Sequence, residues 1–77
     1  MASETVRIRM SCPKRTLRDP IIHALSHDCR VVPNILRGRI TRKDAWLELE
    51  LSGPPKNVAK ALRFLERKGI RVRRLED

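Results

Sequence analysis

Between residues 45 and 52 the chain reads Ala-Trp-Leu-Glu-Leu-Glu-Leu-Ser, so Leu47, Leu49 and Leu51 fall on one side of an extended backbone and Trp46, Glu48 and Glu50 on the other. A period of two is the mark of a strand with one buried face. Such a strand needs partners to complete its hydrogen bonds and a second layer to cover its leucines. The rest of the chain has to supply both.

Residues 5–12 alternate in the same way, with Val6, Ile8 and Met10 on one face and Arg7, Arg9 and Ser11 on the other. A polar loop follows at 13–18. Asp19-Pro20 then opens a short helix in which Asp19 is expected to cap the free amides, and Ile21, Ala24 and Leu25 form the apolar face. This helix ends near His27. Residues 30–41 form a second strand, and 41–44 a turn into the leucine strand. Ser52-Gly53-Pro54-Pro55 ends that strand and opens a second helix, where Val58, Ala61, Leu62 and Leu65 follow the i, i+3, i+4, i+7 pattern. Gly69 is placed to stop the helix. Residues 70–75 make a last strand, with Ile70 and Val72 inward and Arg71 and Arg73 outward.

The order is therefore βαββαβ. Two right-handed crossovers around a central hairpin predict a ferredoxin-like α+β sandwich. Its four-stranded antiparallel sheet has order 4-1-3-2, with both helices on one face. The second strand is then an edge, which suits Pro33, a residue with no N–H to give to a ladder. No internal repeat is visible, and 77 residues suffice for one small domain, 1–77, with a core at about 5–75.

Eighteen basic residues against nine acidic ones give a net charge of +9, and thirteen of the basic residues are arginine. Such a balance points to nucleic acid, an acidic partner or an anionic ligand. No run approaches the roughly 18 apolar residues of a membrane span. Met1-Ala2-Ser3-Glu4 has no basic stretch followed by an apolar one, so a cytoplasmic protein with reduced Cys12 and Cys29 is expected.

The segment Pro33-Asn34-Ile35-Leu36-Arg37-Gly38-Arg39-Ile40 resembles the signature of the NIL domain, a family named after its Asn-Ile-Leu triplet. An Asp-Pro-Ile-Ile helix start precedes it. An alternating strand ending in Leu-Ser-Gly, then Ala-Lys-Ala-Leu-Arg-Phe-Leu, then Gly-Ile-Arg-Val follow it. The resemblance spans residues 6–75. It implies a ferredoxin-like fold similar to ACT-type regulatory modules. It also implies a non-catalytic role, as in the C-terminal domains of methionine importer ATPases, which bind methionine, dimerise and inhibit transport. Other members stand alone or are fused to ferredoxin modules. These 77 residues hold neither a Gly-rich phosphate loop nor the cysteine runs of the ferredoxin fusions.

Asn34 has two readings. Its amide either grips a ligand or bonds neighbouring strand groups and fixes a bend near Pro33. With Ile35 and Leu36 as apolar walls and Gly38 as a point of close approach, the ligand-binding set is Asn34, Ile35, Leu36 and Gly38. Lys14, Arg15, Thr16 and Arg18 precede a helix start, and either form an anion site or a solvated basic loop. The open sheet face, with Trp46, Ile35, Arg7 and Arg9, is the expected dimer or partner face. RNA-recognition sheets of this topology stack bases on central-strand aromatics. Here the first strand offers arginines and the third one Trp beside two carboxylates, which argues against that mode. His23 and His27, four residues apart, suit a polar helix face better than a metal site. No acid/base pair, triad, metal cluster or cofactor motif is visible. The expected function is a regulatory homodimer sensing a small ligand, such as methionine or a sulfur metabolite. The alternatives are a basic nucleic-acid-binding protein, or an accessory subunit of a transporter or sulfur-metabolism enzyme.

Overall fold

The computed structural model describes residues 3–75, the side chain of Leu17 excepted. Met1-Ala2 and the ends of the expected domain 1–77 lie outside the described residues. The elements run β1 (Glu4–Pro13), a 3-10 turn (Lys14–Arg18), α1 (Ile21–His27), β2 (Val32–Ile40), β3 (Asp44–Gly53), α2 (Pro55–Arg67) and β4 (Arg71–Arg74). The sheet is antiparallel with order β2-β3-β1-β4, the same arrangement as the expected 4-1-3-2. The two crossovers carry α1 and α2 over one face.

The alternating strands meet as their periods require. Val6, Ile8 and Met10 of β1 pair with Leu51, Leu49 and Leu47 of β3. Ile8, Leu49 and Leu51 are fully buried against Leu25 of α1 and Val58, Ala61 and Leu65 of α2. Each large aliphatic chain buried this way stabilises the fold by about 1.5–3 kcal/mol. Phe64, off the main stripe of α2, packs at the border of this core.

Local chemistry explains the ends of the elements. Pro55 occupies the first turn of α2, where its missing N–H has no intrahelical partner to lose. Gly69, at φ 82°, terminates α2 in a Schellman motif: Ile70 N–H bonds Leu65 O at 3.1 Å and Gly69 N–H bonds Glu66 O at 3.0 Å. The β2–β3 turn is held by Thr41, whose hydroxyl oxygen accepts from Lys43 N–H at 3.2 Å and Asp44 N–H at 3.1 Å.

Two expectations need correction. Asp19 does not cap α1; the capping position is Pro20, which makes no side-chain cap bond. The Asp19 carboxylate instead reaches Lys68 Nζ, 3.8 Å away at the end of α2. The loop 13–18 is a 3-10 turn, closed by the Thr16 hydroxyl donating to Pro13 O at 2.7 Å.

Candidate functional site: the open sheet face and the two sheet edges

The face of the sheet away from the helices is built by register. Arg7 lies opposite Glu50, Arg9 opposite Glu48 and Ser11 opposite Trp46. On the far side of β1, Arg73 lies opposite Arg9 and Arg71 opposite Ser11. On β2, Asn34 lies opposite Glu50, Arg37 opposite Glu48 and Arg39 opposite Trp46. Six arginines thus share this face with two glutamates, an excess of four positive charges.

Glu48 is the centre of the arrangement. Arg37 Nε donates to its Oε1 at 2.6 Å, Arg37 Nη2 to Oε2 at 3.4 Å, and Arg9 Nη1 to Oε2 at 3.4 Å. The hydrogen bond from Arg37 holds the carboxyl below the usual carboxylate range, with the charges of Arg37, Arg9 and Arg73 adding to it. The same two arginines cover Trp46: the guanidinium carbon of Arg9 sits 4.1 Å from the ring centroid and that of Arg37 sits 5.8 Å away. Trp46 is consequently half-buried, and the exposed aromatic expected on this face is replaced by an arginine-covered ring. Arg7 Nη2 pairs with Glu50 Oε2 at 3.3 Å, so both glutamates are neutralised.

Ile35 is displaced from its expected place. The β2–β3 register shifts between Ile35 and Arg37, a bulge at Leu36. Upstream of it Ile35 pairs with Leu49 and belongs to the helix-side face, while Asn34 takes a place on the open face. Downstream, Arg37 and Arg39 return to the open face as expected. One extra residue exchanges the two faces of a strand, because the side-chain period is two.

The four residues singled out on β2 are therefore split. Asn34 is exposed on the open face and its amide makes no hydrogen bond among the described residues. Ile35 and Leu36 are exposed at 52% and 42%, and Val32 and Ile40 at 67% and 73%. Gly38 sits opposite Leu47, where an added Cβ would collide with Leu47 Cδ2 and lie 2.9 Å from Trp46 O. The close approach that Gly38 permits is to its own neighbouring strand.

The basic turn is also dispersed. The Thr16 side chain is buried and used internally, while Lys14, Arg15 and Arg18 remain exposed. Arg15 lies against the end of α2, its Nη2 next to the space a Cβ on Gly69 would fill. His23 and His27 stack with ring centroids 5.3 Å apart, and His27 Nδ1 lies 2.9 Å from Asp28 Oδ1. Among the described residues there is no group of three potential metal ligands. Burial raises the Cys12 thiol against a smaller lowering by its bond with Thr16, and burial likewise raises Cys29. Both thiols are poor nucleophiles at neutral pH. None of the helices among the described residues is long and apolar enough to cross a membrane.

Sequence reasoning did not identify Arg37 as the clamp on Glu48. The residue types and their face were visible, but the pairing depends on the register set at the β2–β3 turn, where Ile40 lies opposite Ala45.

The profile of the NIL domain matches residues 6–74. No curated protein matches the chain. Among solved structures, the "De novo designed protein Foldit4" is similar over 99% of both chains, with a TM-score of 0.57 and 11% identity, a likeness of fold alone.

Proposed function

The chain belongs to the NIL domain family, a family of non-catalytic regulatory modules of methionine ABC importers, and on that premise we propose that it is a small-ligand sensor that works as a homodimer in the cytoplasm. The observation that carries this reading is the β2 edge. It is nine residues long and exposes Val32, Ile35, Leu36 and Ile40. A long apolar edge strand is an aggregation hazard unless something covers it. A second copy is the economical cover for a domain whose own core is this thin. Self-pairing at β2 brings no large charge penalty from Arg37, because Glu48 already neutralises it.

The ligand sits along the same segment. On the open face Asn34 offers one acceptor and two donors and Arg39 offers a cation for a carboxylate, while Leu36, exposed at the bulge, offers an apolar wall. These groups suit an amino acid with an apolar side chain, methionine or a related sulfur metabolite. Its target is a transporter or sulfur-metabolism enzyme, on which it acts as an accessory regulatory unit.

Two measurements test the reading. Sedimentation at tens of micromolar is expected to show two chains, and Ile35→Asp to show one that is still folded. A thermal-shift screen of amino acids and sulfur metabolites is expected to give a salt-insensitive hit. Ligand at 100 times its dissociation constant stabilises by about 2.7 kcal/mol, a rise of roughly 10 °C or more in a domain of this size. A wild-type monomer that responds to none of these compounds overturns the proposal.

A further inference from the structure

The opposite edge of the sheet has a different chemistry. β4 is short, four residues, and among the described residues only β1 pairs with it. Leu75 N–H bonds Arg7 O at 2.8 Å, which marks Arg7 and Leu75 as a hydrogen-bonded pair. Such pairs alternate along an antiparallel ladder, so Arg9/Arg73 and Ser11/Arg71 are also hydrogen-bonded pairs. The backbone N–H and C=O of Val72 and Arg74 then point away from β1, towards the free edge. A solvent-open depression of about 1040 Å³ runs along this edge. Arg9, Ser11, Arg71 and Arg73 line it on the open-face side, and Glu66 and Gly69 at the end of α2.

We propose that the β4 edge takes up an extended acidic segment of another protein as a fifth strand. The outward backbone groups of Val72 and Arg74 supply the ladder. Arg71 and Arg73 meet carboxylates on alternate residues of the incoming strand, and the side chain of Val72 meets the apolar residues between them. The charge of this edge selects the occupant. Arg73 lies directly opposite Arg9, a like-charged pair that is unfavourable without a counterion. Both glutamates of the face are already engaged by Arg7, Arg9 and Arg37, so neither remains to neutralise Arg71. A second copy of this chain is excluded at this edge, since pairing β4 with β4 would set Arg71 and Arg73 against the same residues. Nucleic acid fits less well. The chain has one Trp, one Phe and no Tyr; Trp46 is covered by arginines and Phe64 belongs to α2, so the sheet has no free platform for bases.

The test uses the full chain and a fluorescein-labelled peptide of six residues alternating glutamate and valine, capped at both ends and followed by fluorescence anisotropy. Saturable binding is expected. Arg71→Gln/Arg73→Gln is expected to weaken it tenfold or more, and so is Val72→Pro, which removes an outward N–H without touching the ladder to β1. The same peptide N-methylated at alternate residues is expected to lose binding to the wild-type chain, and this arm decides the question if Val72→Pro fails to fold. Full binding by the N-methylated peptide overturns the proposal, because the contact would then be charge alone. Tighter binding of a single-stranded oligonucleotide than of the peptide also overturns it, in favour of a phosphate-binding face.

Discussion

Arg37 clamps Glu48 across two strands, Nε to Oε1 at 2.6 Å, and the carboxylate so held also receives Arg9 from the other side. One carboxylate thereby joins β2, β3 and β1 on the open face and draws two guanidiniums over Trp46. The folded state holds this carboxyl below its ordinary range, chiefly through the Arg37 hydrogen bond. The unfolded chain therefore binds a proton here at a higher pH than the folded one. The stabilising contribution is fully present above the unfolded value of about 4.3, and is lost as the pH falls through the folded value. Melting curves from pH 7 to pH 3 are expected to fall more steeply for the wild type than for Glu48→Gln. At pH 7 the variant melts lower and its Trp46 is quenched more readily by acrylamide. Parallel curves would show that the clamp contributes nothing.

Gly38 is expected to be a packing position. An added Cβ meets both the Leu47 side chain and the Trp46 carbonyl, and backbone cannot yield as a side chain can. Gly38→Ala should destabilise by about 1–3 kcal/mol, measured by urea unfolding, as overpacked sites do. A variant as stable as the wild type would free Gly38 for the ligand role.

Arg30 is a non-glycine residue at φ 57°, in the left-handed region, at the link between α1 and β2. Asn57 Nδ2 donates to its carbonyl at 3.2 Å and helps to hold it there. L-residues lose roughly 1–2 kcal/mol in this conformation and glycine does not. Arg30→Gly is expected to raise the melting temperature by several degrees. Asn57→Ala should lower it.

Asn34→Ala is expected to leave stability within about 0.5 kcal/mol, because the amide is exposed and bonds nothing among the described residues. Affinity for the ligand found by thermal shift is expected to fall about tenfold, the loss of one hydrogen bond to the ligand. Calorimetry beside circular dichroism separates the two effects. Unchanged affinity would place the ligand elsewhere.

The bend-fixing reading of Asn34 finds no support, since its side chain makes no hydrogen bond among the described residues. The residue's exposure was not legible in advance because it depends on a register. The run 33–40 gives a strand either way; only the bulge at Leu36 decides that Ile35 joins the helix side and Asn34 the open face. Asp19 shows the same limit at a helix end. Asp-Pro is a sound start signal, yet the helix takes Pro20 as its capping position and the Asp19 carboxylate lies 3.8 Å from Lys68, remote in sequence.

What the amino-acid sequence determined alone is whatever depends on neighbours along the chain. The period-two runs at Val6/Ile8/Met10 and Leu47/Leu49/Leu51 and the helical spacing of Val58, Ala61 and Leu65 mark β1, β3 and α2, and Asp19-Pro20, the run 30–41 and the alternation after Gly69 mark the other three elements in order. That order, with right-handed crossovers, leaves one sheet arrangement and puts Pro33 on an edge. The tertiary structure alone decided which charges meet. Glu48 was visible as an outward residue of a strand, but its burial to 8% exposure comes from arginines eleven and thirty-nine positions away. Pattern within an element fixes which face a side chain takes. Register between elements fixes what it finds there, and the register here rests on the β2–β3 turn, the bulge at Leu36 and the packing of the leucine face against two helices.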